Sequence, residues 1–267
     1  TDPDRGKRLS PLLFYQFAGR KPLTTVKTAG QKAGRKFRMA HCRLPNALML
    51  CHQNGRLFPD PSAMTIRLHR GDLPDLSRYG REVAIDTETM GLNPLRDRLC
   101  VVQLSPGDGS ADVVQIAQDA GAAPNLTALL ADPARTKIFH YARFDVAALQ
   151  HRFGVVTGPV YCTKIASRLV RTYTDRHGLK DLVRELLGVD LSKQQQSSDW
   201  GAEKLSPAQL DYAASDVLYL HDLKRHLDRM LKRENRMELA QSCFDFLKTR
   251  CALDLMGWPE TDIFAHS

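Results

Sequence analysis

The sequence predicts an α/β domain: a mixed sheet flanked by helices, followed by a helical C-terminal part. Three observations predict it. Residues 82–116 hold three short apolar runs separated by tight turns, residues 125–162 alternate helical and strand patterns, and the pattern beyond residue 163 is mostly helical. Closely spaced strands pair as antiparallel hairpins, and strands that alternate with helices give a sheet with helices packed on it.

The elements follow in order. Residues 82–88 form an apolar run ending in acids, a strand. Residues 98–105, RLCVVQLS, form a second strand, Pro106-Gly107-Asp108-Gly109 a turn, and residues 111–116 a third strand. Residues 125–131 are expected as a helix, 137–139 as a strand, 144–153 as a helix and 160–162 as a short strand. Short helices are expected at 163–170 and 179–187, the second stopping at Gly188. Residues 189–205, with KQQQSSDW, are a polar loop. Ser206 is a good N-cap, Pro207 suits the first helical position and Gln209 completes a capping box, so a long helix is expected from there to about residue 233. One more helix, at 238–248, precedes an apolar-rich tail.

Composition narrows the classes. Of 267 residues, 43% are hydrophobic and 25% charged, ordinary for a globular protein. No run approaches the roughly 18 apolar residues of a membrane span, and nothing reads as a secretory signal. Of the six cysteines, Cys42, Cys51, Cys100, Cys162, Cys243 and Cys251, none forms a CxxC pair, so zinc and disulfide frameworks are not indicated. Cys100, Cys162 and Cys243 read as small core residues, and a reducing cytoplasm is the expected compartment. The net charge of +8 is unevenly spread. Residues 1–63 carry 12 Lys+Arg against 3 Asp and no Glu, which leaves 26 basic and 27 acidic residues in the rest. The segment 1–63 is therefore expected to be a disordered or non-native basic extension, with the folded domain at 64–267. Bulk charge does not identify that domain's partner.

Three motifs carry chemistry. In VAIDTETMGL, Asp86 and Glu88 stand two apart on a strand and project from one face. Two anions there repel, and a hard divalent ion such as Mg²⁺ or Mn²⁺ would compensate; a solvent-facing pair at a strand end is the alternative. In HYARFDVAAL, Asp145 falls in the first turn of a helix, where an acid also simply favours the helix dipole. In LDYAASDVLYL, Tyr212 and Asp216 are spaced i, i+4 and share a face with Ala213, Tyr219 and Leu220. A carboxylate on an apolar face is rare unless paired or metal-bound, although the edge of an amphipathic stripe would also hold it.

Taken in order, DxE on a strand, FD at a helix start and YxxxD on a late helix resemble the DEDD exonuclease superfamily, in the branch with tyrosine, over roughly residues 66–266. KQQQSSDW resembles the corresponding stretch of bacterial ribonuclease D. DTETMGLNPLRDRLCVVQLSPGDG, TYTDRHGLK and DIFAHS resemble the nano-RNase C group of alphaproteobacterial oligoribonucleases.

The resemblance implies a ribonuclease H-like fold and a metal-dependent 3′→5′ exoribonuclease. It would hydrolyse short oligoribonucleotides, including dinucleotides, to nucleoside 5′-monophosphates with two divalent ions, Mg²⁺ or Mn²⁺. Asp86, Glu88 and Asp216 would hold the first ion. Asp86 would bridge to the second, and Asp145 would complete its shell. Tyr212 would orient the attacking water. Leu92 is expected as an apolar wedge beside the terminal base or as a turn residue packing on the core, and His140 as a phosphate contact or a satisfied core histidine. Arg171, Arg176, His177 and Lys180 form a local basic cluster, read equally as a phosphate contact or a solvated surface, and the loop around Trp200 lies near the site or anchors itself. The partner implied is short single-stranded RNA, with DNA left open because no motif reads a 2′-hydroxyl. The group implies a homo-octamer. The competing readings are a ribonuclease D-like trimmer of structured RNA and a catalytically silent nucleic-acid-binding module.

Overall fold

A computed structural model of the chain describes residues 64–192 and 194–266. The expectations for residues 1–63, and for Cys42 and Cys51 within them, lie outside the described residues. Six strands form one sheet: β1 (Thr65–Arg70), β2 (Glu82–Thr89), β3 (Leu99–Ser105), β4 (Ser110–Gln115), β5 (Thr136–Phe139) and β6 (Val160–Cys162). Their order is β1-β4-β3-β2-β5-β6. The β2/β3 and β3/β4 pairs are antiparallel; β1/β4, β2/β5 and β5/β6 are parallel. This is the expected mixed sheet, and it places β2, the strand with the first motif, in its interior.

The hairpin joining β3 to β4 turns on Gly107 and Gly109, whose φ values of 86° and 87° suit glycine. Every residue of β3 and β4 is buried, so helices cover both faces of that part of the sheet. The helices are α1 (Pro124–Ala131), α2 (Ala142–Phe153), α3 (Thr163–Val170), α4 (Leu179–Leu187), α5 (Pro207–Leu218), α6 (Leu220–Arg233) and α7 (Met237–Leu255). Among the described residues, no helix is long and apolar enough to cross a membrane.

The structure amends the sequence reading in five places. Strand β1 was not foreseen. Its TIRLHR pattern is too polar to announce a strand, and it is tied in by the buried Asp112 of β4, which accepts from His69 Nε2 at 2.8 Å, Arg78 Nη1 at 2.6 Å and the Tyr79 hydroxyl at 2.9 Å. The long helix expected from Ser206 begins as foreseen, with its capping box present, but breaks at Tyr219 (φ −100°, ψ −5°). On one side of that break α5 packs on β2, β3 and β4; on the other, α6 packs on α3, α4 and α7. The apolar period continues through the break with no Gly or Pro to mark it. Helix α7 runs seven residues past the expected end, to Leu255. Cys243, expected in the core, is only partly buried, and Cys251 is buried instead. Arg171, expected on a basic surface, is fully buried and bonds Ser167 Oγ at 3.0 Å, the Arg176 carbonyl at 2.7 Å and Glu185. It braces its own loop and is not free to meet a phosphate.

Candidate active site

Strand register builds the site. Asp86 lies opposite Gln103 and Glu88 opposite Val101 on β3, and Gln103 lies opposite Val113 on β4. Directly opposed residues share a face, so this face carries the two acids together with Val101, Gln103 and Val113. Helix α5 packs across β2, β3 and β4, and Val101 and Val113 cluster with its Ala213. On that helix Tyr212 precedes Ala213 by one residue and Asp216 follows Tyr212 by four, about one turn, so both face the acids. Ligand oxygens of Asp86, Glu88 and Asp216 all lie within 4.8 Å of one another.

Asp145 arrives differently. Thr87 points to the opposite face of β2, and its hydroxyl donates to Asp145 Oδ1 at 2.7 Å. Asp145 is 3% exposed in the first turn of α2, and its charge helps to raise the pKa of Asp86. The structure therefore gathers three of the four predicted carboxylates in one cluster and sets the fourth beside them, latched by Thr87. Two residues that sequence reasoning missed support them. Thr87 holds Asp145, and the fully buried Gln103 donates from Nε2 to Asp86 Oδ2 at 2.9 Å. Thr87 lies inside the DTE motif, and Gln103 could have been found as a buried amide on the neighbouring strand.

Electrostatics agrees with the geometry. Burial, and then the neighbouring carboxylates, push Asp86 and Glu88 well above the usual carboxylate range. Burial likewise raises Asp145, against the hydrogen bond from Thr87, and Asp216. Among the described residues no lysine or arginine forms an ion pair with any of the four. Such a set lacks positive charge, and all its donors are carboxylate oxygens, the ligands hard divalent ions prefer. The residues fit Mg²⁺ or Mn²⁺. Burial, followed by the nearby charges of Asp216, Glu88 and Asp86, raises the pKa of the Tyr212 phenol, so it stays protonated.

The surroundings are shaped by two loops and a tail. Leu92 is 87% exposed on the loop after β2. That loop folds around Asp97, which accepts from Asn93 N at 3.0 Å and pairs with Arg96; a Cβ on Gly91 would come within 2.3 Å of the Asp97 carboxylate. A cleft of about 460 Å³ runs from this loop past Tyr141 and Phe144 to Asp254 and Glu260 of the C-terminal segment. His140 bonds Thr163 Oγ1 through Nδ1 at 2.9 Å, and burial, with the charge of Lys164 second, pushes its pKa down to about 3. It is a neutral, fold-bound histidine. Sequence reasoning also missed a second cavity, about 560 Å³, on the other side of Tyr141. It has an apolar floor of Ile165, Phe246 and Leu247, and Lys164 and Arg168 stand on its wall with no acidic residue. The Lys164 ammonium lies 4.1 Å over the Tyr141 ring.

The 3′-5′ exonuclease family profile matches residues 72–232. Ribonuclease D of Granulibacter bethesdensis is 36% identical over 188 residues, covering 70% of this chain and 47% of that protein. The chain spans about half the length of the curated ribonuclease D relatives it matches. Among solved structures, Brucella melitensis NrnC with bound Mg²⁺ is 64% identical with a TM-score of 0.74, covering 76% of this chain and all of that one. The same protein bound to pGG matches at 64% identity and a TM-score of 0.75, covering 77% and 100%.

Proposed function

The chain belongs to the 3′-5′ exonuclease family, in the group of ribonuclease D and NrnC, and from that premise we propose that it hydrolyses short oligoribonucleotides from the 3′ end, down to dinucleotides. The observation that carries this reading is the convergence of Asp86, Glu88 and Asp216 within 4.8 Å, with Asp145 beside them and Tyr212 one turn from Asp216 on the same helix. The reaction adds water across the terminal phosphodiester. The water oxygen bonds to phosphorus, the 3′-oxygen of the preceding nucleotide leaves and takes a proton, and a nucleoside 5′-monophosphate is released.

Asp86, Glu88 and Asp216 would hold one divalent ion, and Asp86 with Asp145 a second. When bound, such ions acidify a coordinated water and steady the leaving oxygen. Tyr212, kept protonated, acts as a hydrogen-bonding guide for the attacking water and not as its base. Gln103 fixes the rotation of the Asp86 carboxylate, and Thr87 that of Asp145, as outer hydrogen bonds do around metal ligands.

Leu92, exposed on its braced loop, is suited to pack against the terminal base. His140, bonded to Thr163 and neutral, could meet a phosphate only as an uncharged group. Lys164 and Arg168 offer positive charge for the phosphate at the far end of a short substrate, in a cavity whose size suits one small ligand. The Brucella relative's complex with pGG supports the dinucleotide reading. Near-neutral charge in residues 64–267 favours short substrates over a ribonuclease D-like trimmer, which would need to grip structured RNA. The exposed Trp258 and Phe264 of the C-terminal segment support self-association, with an octamer implied by the group. The test is product analysis with a 5′-labelled diribonucleotide and Mg²⁺. Complete conversion to mononucleotide, absent in Asp216→Ala, supports the reading; a stall at dinucleotide while longer RNA is shortened favours the trimmer.

A further inference from the structure

The loop at residues 199–203 is fastened by three side chains. Gln209 Nε2 donates to the Asp199 carbonyl at 3.0 Å, Arg98 Nη2 to the Gly201 carbonyl at 3.2 Å, and Gln115 Nε2 to the Ala202 carbonyl at 2.7 Å. A Cβ on Gly201 would lie 2.5 Å from Met90 Sδ, so the loop presses on the chain two residues beyond Glu88. Between these anchors Trp200, 3% exposed, inserts among Cys100, Val101, Val113 and Ala213. Its ring centroid lies 6.0 Å from that of Tyr212, with the planes inclined at 42°.

Two features set this tryptophan apart from ordinary core. Among the described residues, its indole Nε1 is buried with no hydrogen-bond partner. An unmade bond of that kind is a cost that a purely apolar filler would avoid. Its neighbour also needs help. Tyr212 is only partly buried, and the torsion about its ring is broad, so the helix backbone alone does not fix the plane of the phenol. An aromatic ring held rigidly on one side would fix it through tilted ring packing.

We propose that Trp200 is a positioning residue for Tyr212: the clamped indole sets the phenol's plane so that its hydroxyl stays directed into the carboxylate cluster. The inference rests on the reading of Tyr212 as the residue that orients water. A Trp200 that only fills space would affect folding, and turnover alike, whether or not the Tyr212 hydroxyl is present.

The experiment is a double-mutant cycle in the full chain, with kcat and KM measured on a 5′-labelled short RNA in Mg²⁺. The variants are Trp200→Leu, Trp200→Phe, Tyr212→Phe and the two Trp200 changes combined with Tyr212→Phe. Trp200→Leu should lower kcat about tenfold with KM within about twofold, and Trp200→Phe should recover to within about threefold of the parent. In the Tyr212→Phe background, neither Trp200 change should lower kcat further. Equal losses in both backgrounds, or a loss confined to KM, overturns the proposal. Full kcat in Tyr212→Phe alone would sink the reading of Tyr212 itself, and the inference with it. If the leucine variant folds poorly, the phenylalanine pair decides: its smaller loss must vanish when the hydroxyl is absent.

Discussion

Replacing Asp216 by asparagine should stabilise the metal-free protein while abolishing its activity. Asp86, Glu88 and Asp216 present oxygens within 4.8 Å of one another, and among the described residues no lysine or arginine pairs with them. At that distance two full charges repel by about 3.5 kcal/mol at an effective dielectric of about 20. Asp216→Asn removes two such pairs and leaves a group of nearly the same shape. The gain is smaller than their sum, because the crowded site sheds charge by holding protons, as its raised pKa values show. We expect about 1–3 kcal/mol at pH 8, or about 2–10 °C in Tm for a domain of this size. The sign follows from linkage. The folded carboxylates titrate above their unfolded values, near 4, so the folded state binds extra protons above that pH, and the metal-free wild type loses stability as pH rises through neutrality. The gap between variant and wild type should therefore widen from pH 6 to pH 8. Mg²⁺ should raise the wild-type Tm and leave the variant's nearly unchanged. Thermal melts in EDTA and in Mg²⁺ at the two pH values measure all of this. A variant no more stable than wild type in EDTA at pH 8, or a gap that does not grow with pH, would refute the reasoning.

Other predictions follow from single contacts. Gln103→Leu, which removes the donor to Asp86, should weaken Mg²⁺ binding about 10- to 100-fold by titration of the melting temperature, with the fold retained. Lys137 is fully buried, and burial pushes its pKa down to about 8, yet its ammonium donates to the carbonyls of Asp132, Arg135 and Gly158 at 2.6, 2.9 and 2.6 Å. Lys137→Met strands all three acceptors and should destabilise by about 3–5 kcal/mol in urea unfolding, whereas a loss under 1 kcal/mol would mean that water replaces the amine. Leu92→Ala should raise KM for a diribonucleotide about tenfold and leave the Mg²⁺-induced rise in Tm unchanged; an unaltered KM removes the wedge role.

Most of the sheet and the candidate site were legible because they rest on local rules. Alternation along β2 puts Asp86 and Glu88 on one face, the i, i+4 spacing does the same for Tyr212 and Asp216, and the Ser206 capping box marks where the helix carrying them begins. What was not legible depends on tertiary contacts. Strand β1 owes its place to Asp112, a partner 43 residues from His69. The break at Tyr219 has no sequence mark: α5 lies across β2, β3 and β4, while α6 packs chiefly on α3 and α4 and only its lesser contacts reach β2 and β5. Arg171 looked like surface charge because neither its burial nor its bond to Glu185 is written in the local pattern. Trp200 was visible as a residue, but its ring contact with Tyr212 needed the fold.

Every role assigned to the site requires metal-dependent attack at the 3′ end. The measurement is a paired time course on one short RNA, labelled at the 5′ terminus in one sample and at the 3′ terminus in the other, with Mg²⁺ or with EDTA. The 3′ label should appear as mononucleotide from the first turnover, the 5′-labelled strand should shorten one residue at a time, and neither should happen in EDTA. Release of the 5′ label first, internal fragments in either sample, or cleavage that persists in EDTA would contradict it.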